Sequence, residues 1–357
     1  MRCLGMNKTK VSIIGGAGYG AAELLRHLLV RNDVDFLRIS SKDYIGQSIS
    51  SVHRNLIGYE HILLEDISPQ DCARGADVVF LAMPHITTAS VAMELFSKPV
   101  RLIDLSGDFR LHHESDYHQD YATSHPCPEY LGKFVYGLPE LNAQHIKTAN
   151  YIASPGCFAT AIIMGLLPLA DAGLLNKAVI RNVSMTGSSG SGVRPQEGTH
   201  HPIRANNLKA YKVLHHQHRS EILQALSIAG AADITLDFVP VSAPLSRGIL
   251  AISQLDLPKG YDSCTLQTLY KQYYCEQSLV EVMPTGISPE VAAVNGSGRV
   301  NIGITVGDDP VTGVSTLCCI SAIDNLIKGG AGQAIQCFNL LTGQHQNFGL
   351  ELPGVWP

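Results

Sequence analysis

The motif Ser154-Pro155-Gly156-Cys157 has the composition of a turn that presents a reactive thiol. It follows the short apolar run 150–153, which predicts a strand, and precedes the apolar run 161–167, which predicts a helix. The proline and glycine break the chain between the two, which places the cysteine in the first turn of the helix. Unpaired backbone N–H groups and the helix dipole favour an anion there, so we expect a nucleophilic thiolate. The alternative is a buried structural cysteine, the usual fate of this residue in an apolar neighbourhood.

Three histidines, His215, His216 and His218, form a second candidate for chemistry. A histidine titrates near physiological pH, so one of them can act as a general acid or base. We expect no metal site, because the nearby Glu197 and Glu221 make no standard zinc spacing with them. A solvated polar turn before a helix remains the alternative for two of the three.

A serine- and glycine-rich loop occupies residues 186–195 and ends with Arg194-Pro195. It follows the apolar run 178–184, which predicts a strand. One interpretation is a flexible linker. We favour the other, a loop of backbone donors around an anion, because of the preceding strand and the arginine.

A glycine turn near the start of the chain predicts a dinucleotide site. The apolar run 9–14 predicts a strand, and 24–29 has helical spacing. Between them, Gly16, Gly18 and Ala21 match G-x-G-x-x-A, while Gly15 and Gly18 match a G-x-x-G spacing. Strand, glycine turn and helix together let the backbone approach a pyrophosphate at the helix N-terminus.

The end of the next predicted strand indicates which dinucleotide is bound. An acidic residue there would favour the ribose hydroxyl of NAD. The run 36–42 instead ends in Ser40-Ser41-Lys42 with Arg38 close by, which suits the 2′-phosphate of NADP. Asp43, one residue further on, weakens this inference.

Further buried strands are predicted at 76–82 and 100–106. The first leads into Met83-Pro84-His85, and the second into Gly107-Asp108-Phe109-Arg110, a turn that presents one cation. Strands alternate with helices through about residue 155, which predicts a doubly wound parallel sheet of Rossmann type.

The pattern changes after Cys157. Strand-like runs at 178–184, 236–253 and 299–306 suggest a mixed or antiparallel sheet, and hence a second α+β domain. We predict a helix over 314–328, ended by Gly329-Gly330.

Composition limits the class of protein. A chain of 357 residues is long enough for two domains, with 45% hydrophobic and 16% charged residues. The net charge of −5 argues against nucleic acid or an anionic membrane as the main partner, and no apolar run is long enough to span a bilayer.

The first residues are too weakly apolar for a secretory signal, and Met1 or Met6 could be the start. Nine cysteines without CxxC spacing suggest reduced thiols in the cytoplasm.

Taken together, these motifs resemble the N-acetyl-gamma-glutamyl-phosphate reductases of arginine biosynthesis, which are related to the aspartate-semialdehyde dehydrogenases. The matching segments are 15–25, 102–110, 135–140, 154–157, 198–200, 210–213 with His216 and His218, and 328–336. The family has Asn where Ser154 stands. It usually has Gly-Gly-His-Arg-His where this chain has Leu214-His215-His216-Gln217-His218, so the choice between His216 and His218 stays open.

The resemblance implies three parts: an NADP-binding Rossmann domain (1–155), an α+β catalytic and oligomerisation domain (156–324), and a C-terminal segment (325–357) that returns to the nucleotide domain. It implies reduction of an acyl phosphate by NADPH through a Cys157 thioester, with His216 or His218 as proton donor, and a homodimer or homotetramer. The implied cofactor-binding residues are Gly15, Gly16, Ala17, Gly18, Tyr19, Gly20, Ser40, Ser41, Pro84, His85, Gly187, Ser188, Gly332 and Gln333. The implied substrate-binding residues are Arg110, whose guanidinium would pair with a carboxylate, and Ser154, Ser189 and Gly190.

Three alternatives remain. An aspartate-semialdehyde dehydrogenase is disfavoured because Arg247-Gly248-Ile249 lacks the histidine of that family's Gly-His pair. A carrier-protein-linked reductase of lysine biosynthesis would bind an acidic carrier protein. The net negative charge of this chain does not favour such binding. A nucleotide-sensing regulator without catalysis is disfavoured because the cysteine and the histidine pair are both present.

Overall fold

The apolar runs between glycine- and proline-rich turns form the strands of two separate sheets. The computed structural model describes residues 8–356. Within that range the chain divides into two units, one made of residues 8–155 and Gly330–Leu350, the other of Gly156–Gly329 and residues 351–356. No helix in residues 8–356 is long and apolar enough to cross a membrane.

The first unit contains a six-stranded sheet whose paired strands are all parallel. Its strands are β1 (Thr9–Ile14), β2 (Val34–Ser40), β3 (Val78–Leu81), β4 (Arg101–Asp104), β5 (Val135–Tyr136) and β6 (Tyr151–Ala153). Its helices are α1 (Tyr19–Leu28), α2 (Ile49–Val52), α3 (Pro69–Ala73), α4 (Thr87–Met93), α5 (Glu114–Tyr121) and α6 (Pro139–Ile146). The strand order is β2-β1-β3-β4-β6-β5, so the predicted doubly wound parallel sheet is confirmed.

Parallel pairing brings the carboxyl ends of these strands to one edge of the sheet. The residues that follow each strand therefore share that edge, where ligands bind in open α/β sheets. They include the glycine turn after β1, Ser40-Ser41 after β2, the loop after β3 and the turn after β4. Ser154 follows β6 at the same edge, and its N–H donates to Asp104 O at 2.7 Å.

The second unit contains a seven-stranded mixed sheet with the order β11-β12-β13-β10-β7-β9-β8. Its strands are β7 (Val179–Thr186), β8 (Lys209–Ala210), β9 (Thr235–Ser242), β10 (Ile249–Leu257), β11 (Val280–Val282), β12 (Val300–Asp308) and β13 (Ser315–Ile323). Its helices are α7 (Cys157–Asp171), α8 (His201–Arg204), α9 (His218–Ile228), α10 (Ser263–Tyr273) and α11 (Val291–Val294). The predicted mixed sheet is confirmed: β10 is antiparallel to β7 and β13, whereas β7 and β9 are parallel.

The predicted helix over 314–328 is wrong, because Ser315–Ile323 forms the strand β13. This strand lies between β10 and β12 and is antiparallel to both. Two full ladders satisfy its backbone, which outweighs the helix-like apolar pattern. Its side chains alternate between the two faces of the sheet, and Ser321 Oγ donates to Ala161 O of α7 at 2.6 Å.

The last helix, α12 (Gly332–Leu341), belongs to the first unit and is buried along its whole length. Phe338 packs on Phe80 of β3 with ring centroids 5.7 Å apart. Arg31 Nη1 donates to Asn339 Oδ1 at 2.6 Å, and its guanidinium also lies over the rings of Phe338 and Phe348. The described residues 351–356 belong to the second unit, where Val355 N–H donates to Asn295 O at 2.8 Å.

Candidate active site

The glycine turn after β1 is folded tightly against the end of β2. The N–H groups of Gly15 and Gly16 both donate to Ser40 O, at 3.0 and 2.9 Å. Gly15 has a φ of +99°, and a Cβ there would lie 2.6 Å from Ala82 O. A Cβ on Gly16 would lie 2.7 Å from Leu64 Cδ2, so neither position tolerates a side chain.

The turn leads directly into α1, with Gly18 as the N-cap and Tyr19 as the first helical residue. Glycine offers no side chain to cap the helix, so the first N–H groups of α1 can receive a pyrophosphate. Ala17 is buried, whereas Tyr19 is 39% exposed and Gly20 has Leu105 Cδ2 at 3.5 Å from its Cβ position. This part of the sequence prediction therefore has the geometry of a dinucleotide turn.

Two cationic side chains lie near the end of β2, where the sequence predicts the 2′-phosphate. Arg38 Nη1 pairs with Glu65 at 3.0 Å, and Lys42 Nζ pairs with Asp66 at 3.2 Å. Both pairs are largely exposed and therefore weak, so a phosphate can replace the carboxylates. Ser40 and Ser41 are buried beside them, and Ser41 Oγ accepts from Asp43 N at 3.2 Å.

The loop after β3 is held against the turn after β4. Pro84 and His85 are exposed, and His85 Nδ1 accepts from Gly107 N at 2.6 Å. The ring of Tyr121 lies 5.8 Å from that of His85, and a Cβ on Gly107 would collide with the Tyr121 hydroxyl. Only glycine therefore allows this contact between the two loops.

Arg110 is buried beneath the turn that precedes the nucleophile. Its Nε donates to Ser154 O at 2.8 Å and its Nη2 to Leu105 O at 3.1 Å. The arginine is 4% exposed, so its guanidinium shapes the backbone around Ser154. The Ser154 hydroxyl is buried and has no hydrogen-bond partner among residues 8–356.

Asp104, at the end of β4, is fully buried in the same cluster. Burial, together with the neighbouring Asp108 charge, raises the pKa of Asp104 to about 7, although Ser106 and Arg110 oppose the shift. Its two oxygens accept from Ser106 N and Ser106 Oγ, both at 2.8 Å. Asp104 therefore holds a proton in the folded protein at pH values where the unfolded chain has lost it.

The nucleophile candidate Cys157 is the first residue of α7, with Gly156 as the N-cap. The N–H of Gly156 donates to Glu221 Oε1 of α9 at 2.8 Å, a buried charge-assisted bond. The backbone of Gly329 also approaches closely, because a Cβ there would lie 2.8 Å from Cys157 Cβ. Cys157 itself is only partly buried, as a nucleophile must be.

The two histidines that the sequence singled out lie together beside the first turn of α7. His216 and His218 are 4% and 6% exposed, and their ring centroids are 4.7 Å apart. Both rings pack on Phe158, the residue after Cys157, at 5.4 and 6.2 Å. His215 is exposed and outside this cluster, and no group of three metal-ligating side chains converges within residues 8–356.

The tautomer of His216 follows from its backbone contact. The N–H of His218 donates to His216 Nδ1 at 3.1 Å, so Nδ1 is an acceptor. In the neutral ring the proton then lies on Nε2, which makes His216 a hydrogen-bond donor through that atom. His218 occupies the first position of α9, where the helix dipole disfavours a cation.

Three residues of this cluster were missed or undervalued at the level of sequence: Glu221, Tyr211 and Arg204. Glu221 follows His218 by three residues in α9, so the two share a helix face, which was the available signal. The ring of Tyr211 lies 5.9 Å from that of His216. Burial raises the pKa of the Tyr211 phenol, and the Cys157 charge raises it further while Arg204 lowers it.

The serine- and glycine-rich loop does not offer its first backbone donors to an anion, contrary to the expectation from sequence. The N–H groups of Gly187, Ser188 and Ser189 donate to the carbonyls of Gly248, Leu245 and Ser246, and that of Gly190 donates to Gly187 O. A Cβ on Gly187 would lie 2.7 Å from the backbone of residues 246 and 247. Hydroxyl groups of the loop therefore have to supply any contact to an anion.

Asn325 fixes this loop. Its Oδ1 accepts from Gly248 N at 2.6 Å, and its Nδ2 donates to Ser189 Oγ at 3.0 Å. Ser188 and Ser189 are half-buried and Gly190 is exposed.

Gly332 and Gln333 lie in the buried first turn of α12 in the first unit. Gln333 Nε2 donates to Gly137 O at 2.9 Å, just after β5. Its Oε1 is buried and has no hydrogen-bond partner among residues 8–356, so that oxygen can accept from a ligand. In the first unit, the predicted residues thus gather at the edge of the sheet where the parallel strands end. In the second unit, they form a group of Cys157 with His216 and His218.

Replacing Asp104 with Asn tests the buried carboxyl. The pKa of Asp104 is raised from 3.8 to about 7 in the folded state, so the folded protein holds this proton more tightly than the unfolded chain. The resulting stabilisation is fully present below pH 3.8 and is lost as the pH rises towards 7. Asp104→Asn keeps the acceptor for Ser106 N but cannot ionise. We expect the wild type to lose more stability than the variant between pH 5.5 and 8 in urea unfolding. Parallel pH profiles would contradict the assignment.

Replacing Glu221 tests the bond to Gly156. In Glu221→Ala the buried N–H of Gly156 loses its acceptor, so we expect a loss of about 1–3 kcal/mol in the free energy of unfolding. Glu221→Gln retains an acceptor oxygen and should lose less. Urea unfolding of the three proteins measures this, with the exposed Glu281→Ala as the control. Equal stabilities for wild type and Glu221→Ala would refute the role of this contact.

Comparison with known proteins places this geometry in context. Residues 10–149 match the family described as semialdehyde dehydrogenase, NAD binding domain, and residues 157–325 match semialdehyde dehydrogenase, dimerisation domain. The N-acetyl-gamma-glutamyl-phosphate reductases of Magnetococcus marinus and Nitrosococcus oceani are 35% and 38% identical over 348 residues, covering 98% of this chain and 99% of each relative. A [LysW]-L-2-aminoadipate/[LysW]-L-glutamate phosphate reductase of Saccharolobus solfataricus is 35% identical over 353 residues, with 98% and 99% coverage.

Solved structures share the fold at lower identity. The aspartate semialdehyde dehydrogenase II of Vibrio cholerae superposes with a TM-score of 0.70 at 17% identity, covering 94% of this chain and 99% of that chain. The aspartate semialdehyde dehydrogenase of Candida albicans, solved with NADP, has a TM-score of 0.71 at 13% identity, with 96% and 99% coverage.

Proposed function

This chain belongs to the N-acetyl-gamma-glutamyl-phosphate reductase family, and we propose that it reduces N-acetyl-γ-glutamyl phosphate with NADPH to N-acetylglutamate 5-semialdehyde and phosphate, in arginine biosynthesis. The observation that carries the proposal is the group at the start of α7: Cys157 at the helix N-terminus, with His216, His218 and Glu221 beside it. These are the groups that an acyl transfer through a thioester needs.

The first step is covalent capture by Cys157. The thiolate, favoured by the N-terminus of α7, attacks the acyl carbon, and the C–O bond to phosphate breaks to leave a thioester. The bond between Gly156 and Glu221 fixes the turn, so the sulfur is held in one position during attack. Capture also retains the acyl group in the site for the second step.

The second step needs stabilisation of the negative charge that develops on the former carbonyl oxygen. NADPH, when bound, supplies the hydride that reduces the thioester carbon. The Nε2–H of His216 donates a hydrogen bond to that oxygen, because Nδ1 already accepts from the N–H of His218 and the proton therefore lies on Nε2. Collapse of the alkoxide breaks the C–S bond and releases the aldehyde and the Cys157 thiolate. His218 is the second candidate for this role.

The residues of the first unit fit a dinucleotide phosphate. The glycine turn leaves no room for side chains at Gly15 and Gly16, and α1 starts without a capping side chain at Gly18. We propose that residues 15–20 bind the pyrophosphate and that Ser40, Ser41 and Arg38 bind the 2′-phosphate. Pro84 and His85 lie at the same sheet edge, and Gly332 and Gln333 of the same unit complete its proposed cofactor contacts. Gly187 and Ser188 of the second unit stay predictions from the sequence.

Ser189 is the proposed phosphate contact through its hydroxyl, whose oxygen accepts from Asn325 Nδ2, and Gly190 is proposed to line the phosphate without donating, because its N–H already donates to Gly187 O. Arg110 and Ser154 stay in the proposal as residues that shape the substrate turn, since two Arg110 donors go to the carbonyls of Ser154 and Leu105.

The eight free cysteines among residues 8–356 are consistent with the reducing cytoplasm, where we place the enzyme.

The second candidate is a reductase whose substrate is linked to a carrier protein. It is favoured by one observation, the 35% identity to the Saccharolobus solfataricus reductase, whose name specifies a LysW-linked substrate. The aspartate-semialdehyde dehydrogenases share the fold at 13–17% identity, which does not support their substrate.

We propose that the protein is a homodimer formed through the open face of the second sheet. Val239, Val183, Ile252 and Ile320 are direct partners across four strands. Their strand neighbours Ser184 and Ser321 point to the opposite face, where Ser321 contacts α7. The row is therefore on the face away from α7, and Val183 is 42% exposed. An apolar row of this kind is typical of a dimer interface.

The reaction is tested by phosphate-dependent reduction of NADP with purified protein. We expect activity with N-acetylglutamate semialdehyde and none with aspartate semialdehyde. Cys157→Ser should lose turnover and still bind NADPH, because the thioester cannot form. Cys275→Ser, at an exposed cysteine, is the matched control. Wild-type turnover in Cys157→Ser would exclude the covalent route, and activity only with a carrier-linked substrate would select the second candidate.

The dimer is tested by light scattering of Val183→Glu. A charge in the middle of the row should disfavour burial, so we expect the variant to be monomeric where the wild type is a dimer. Val311→Glu, at a residue that is 91% exposed, is the control and should remain a dimer. An unchanged mass for Val183→Glu would place the interface elsewhere.

A further inference from the structure

Arg204 is a cation at the ends of β7 and β9 in the second unit, and no motif drew attention to it. We propose that Arg204, with the hydroxyl of Tyr211 beside it, forms the subsite that binds the α-carboxylate of the substrate. This inference rests on the proposed function, because it assigns one group of the N-acetylglutamyl substrate. It differs from the assignment to Arg110 that the sequence suggested.

The position of Arg204 is set by the ends of two strands. Arg204 is the last residue of α8, and its Nη2 donates to Thr186 O at 2.9 Å while its Nη1 hydrogen-bonds Ser242 Oγ. Thr186 and Ser242 are register partners at the ends of the parallel strands β7 and β9. The guanidinium therefore lies beside Thr186, where β7 ends and the serine- and glycine-rich loop begins.

Tyr211 connects this cation to the reacting group. It follows β8, and its N–H donates to Pro240 O at 3.1 Å, which fixes the ring next to His216. The charges of Arg204 and Cys157 both act on the pKa of the Tyr211 phenol, so it lies near both. The raised pKa of the phenol keeps it protonated, and a protonated phenol donates a hydrogen bond to a carboxylate.

Arg204 also has the capacity to bind an anion. Its Nε is buried and has no hydrogen-bond partner among residues 8–356. Burial lowers the pKa of the guanidinium, and the group that raises it is the Tyr211 phenol rather than a carboxylate of the protein. The side chain as a whole is half-buried, so a bound carboxylate would reach it and give the buried Nε an acceptor.

The substrate carries two anionic groups, a phosphate and an α-carboxylate, which lie at different distances from the carbon that reacts. The phosphate is attached to the carbon that Cys157 attacks, so it must lie at the nucleophile. The α-carboxylate is separated from that carbon by the glutamyl side chain, and it needs a cation at a distance. Arg110 is 4% exposed and directs Nε and Nη2 to backbone carbonyls in the first unit. Arg204 is half-buried and keeps its Nε without a hydrogen-bond partner among residues 8–356, so it is the better match.

The test compares two aldehydes in the phosphate-dependent reduction of NADP: N-acetylglutamate semialdehyde, and N-acetyl-4-aminobutanal, which lacks only the α-carboxylate. For the wild type we expect the KM of the second to be roughly 10- to 100-fold higher, the size of a charge-assisted pair. In Arg204→Gln the KM of the first should rise to a similar value, while that of the second stays unchanged. The KM for phosphate should not change, and Arg204→Lys should retain part of the preference.

Controls separate binding from structure. Lys209→Gln changes an exposed cation in the neighbouring strand β8 and should leave both KM values unchanged. If Arg204 only pins α8 to the strand ends, the KM of both aldehydes rises together in Arg204→Gln, and the subsite is refuted. A selective rise in the KM for phosphate would refute it equally, by assigning Arg204 to that anion.

Should Arg204→Gln fail to fold, Tyr211→Phe provides the second variant, because it keeps the ring and removes only the hydroxyl. We expect its KM to rise roughly 3- to 10-fold for N-acetylglutamate semialdehyde alone, the typical net effect of one hydrogen bond. An equal effect on both aldehydes would contradict the proposal. Absence of wild-type activity with N-acetylglutamate semialdehyde would instead refute the proposed function.

Discussion

The N–H of Gly156 is the backbone group on which the second unit's site depends. It belongs to the N-cap of α7, so no carbonyl of that helix can accept from it. Glu221 supplies the acceptor from α9, and the same helix begins with His218. One buried hydrogen bond therefore fixes the nucleophile relative to the histidine pair. Loss of this acceptor would leave a buried donor unsatisfied.

The first unit uses buried charged side chains to hold backbone segments together. Arg110 and Asp104 are both almost completely buried, and each is compensated by backbone groups or by Ser106. The bonds of Arg110 join the residues that follow β4 and β6, Leu105 and Ser154. Charged side chains here serve to shape backbone, whereas Arg204 in the second unit retains a buried Nε without a hydrogen-bond partner among residues 8–356.

Sequence patterns succeeded where the relevant residues are contiguous. The glycine turn, the parallel sheet and the position of Cys157 at a helix start follow from short runs whose neighbours are adjacent in the chain. They failed for β13, because its helix-like apolar pattern cannot reveal that β10 and β12 lie on either side of it. The serine- and glycine-rich loop was misjudged for the same reason, since its donors are used by residues 245–248.

The sequence by itself determined which reactive groups exist and what local geometry each adopts, because backbone conformation depends mainly on neighbouring residues. Only the tertiary structure decided which of them meet and which keep a free hydrogen-bonding atom. Glu221 reaches Gly156 across 65 residues of chain, and no spacing rule predicts that contact. Likewise, Arg110 and Arg204 are the same residue type and both donate to backbone carbonyls, and long-range packing decides which donors of each side chain are used.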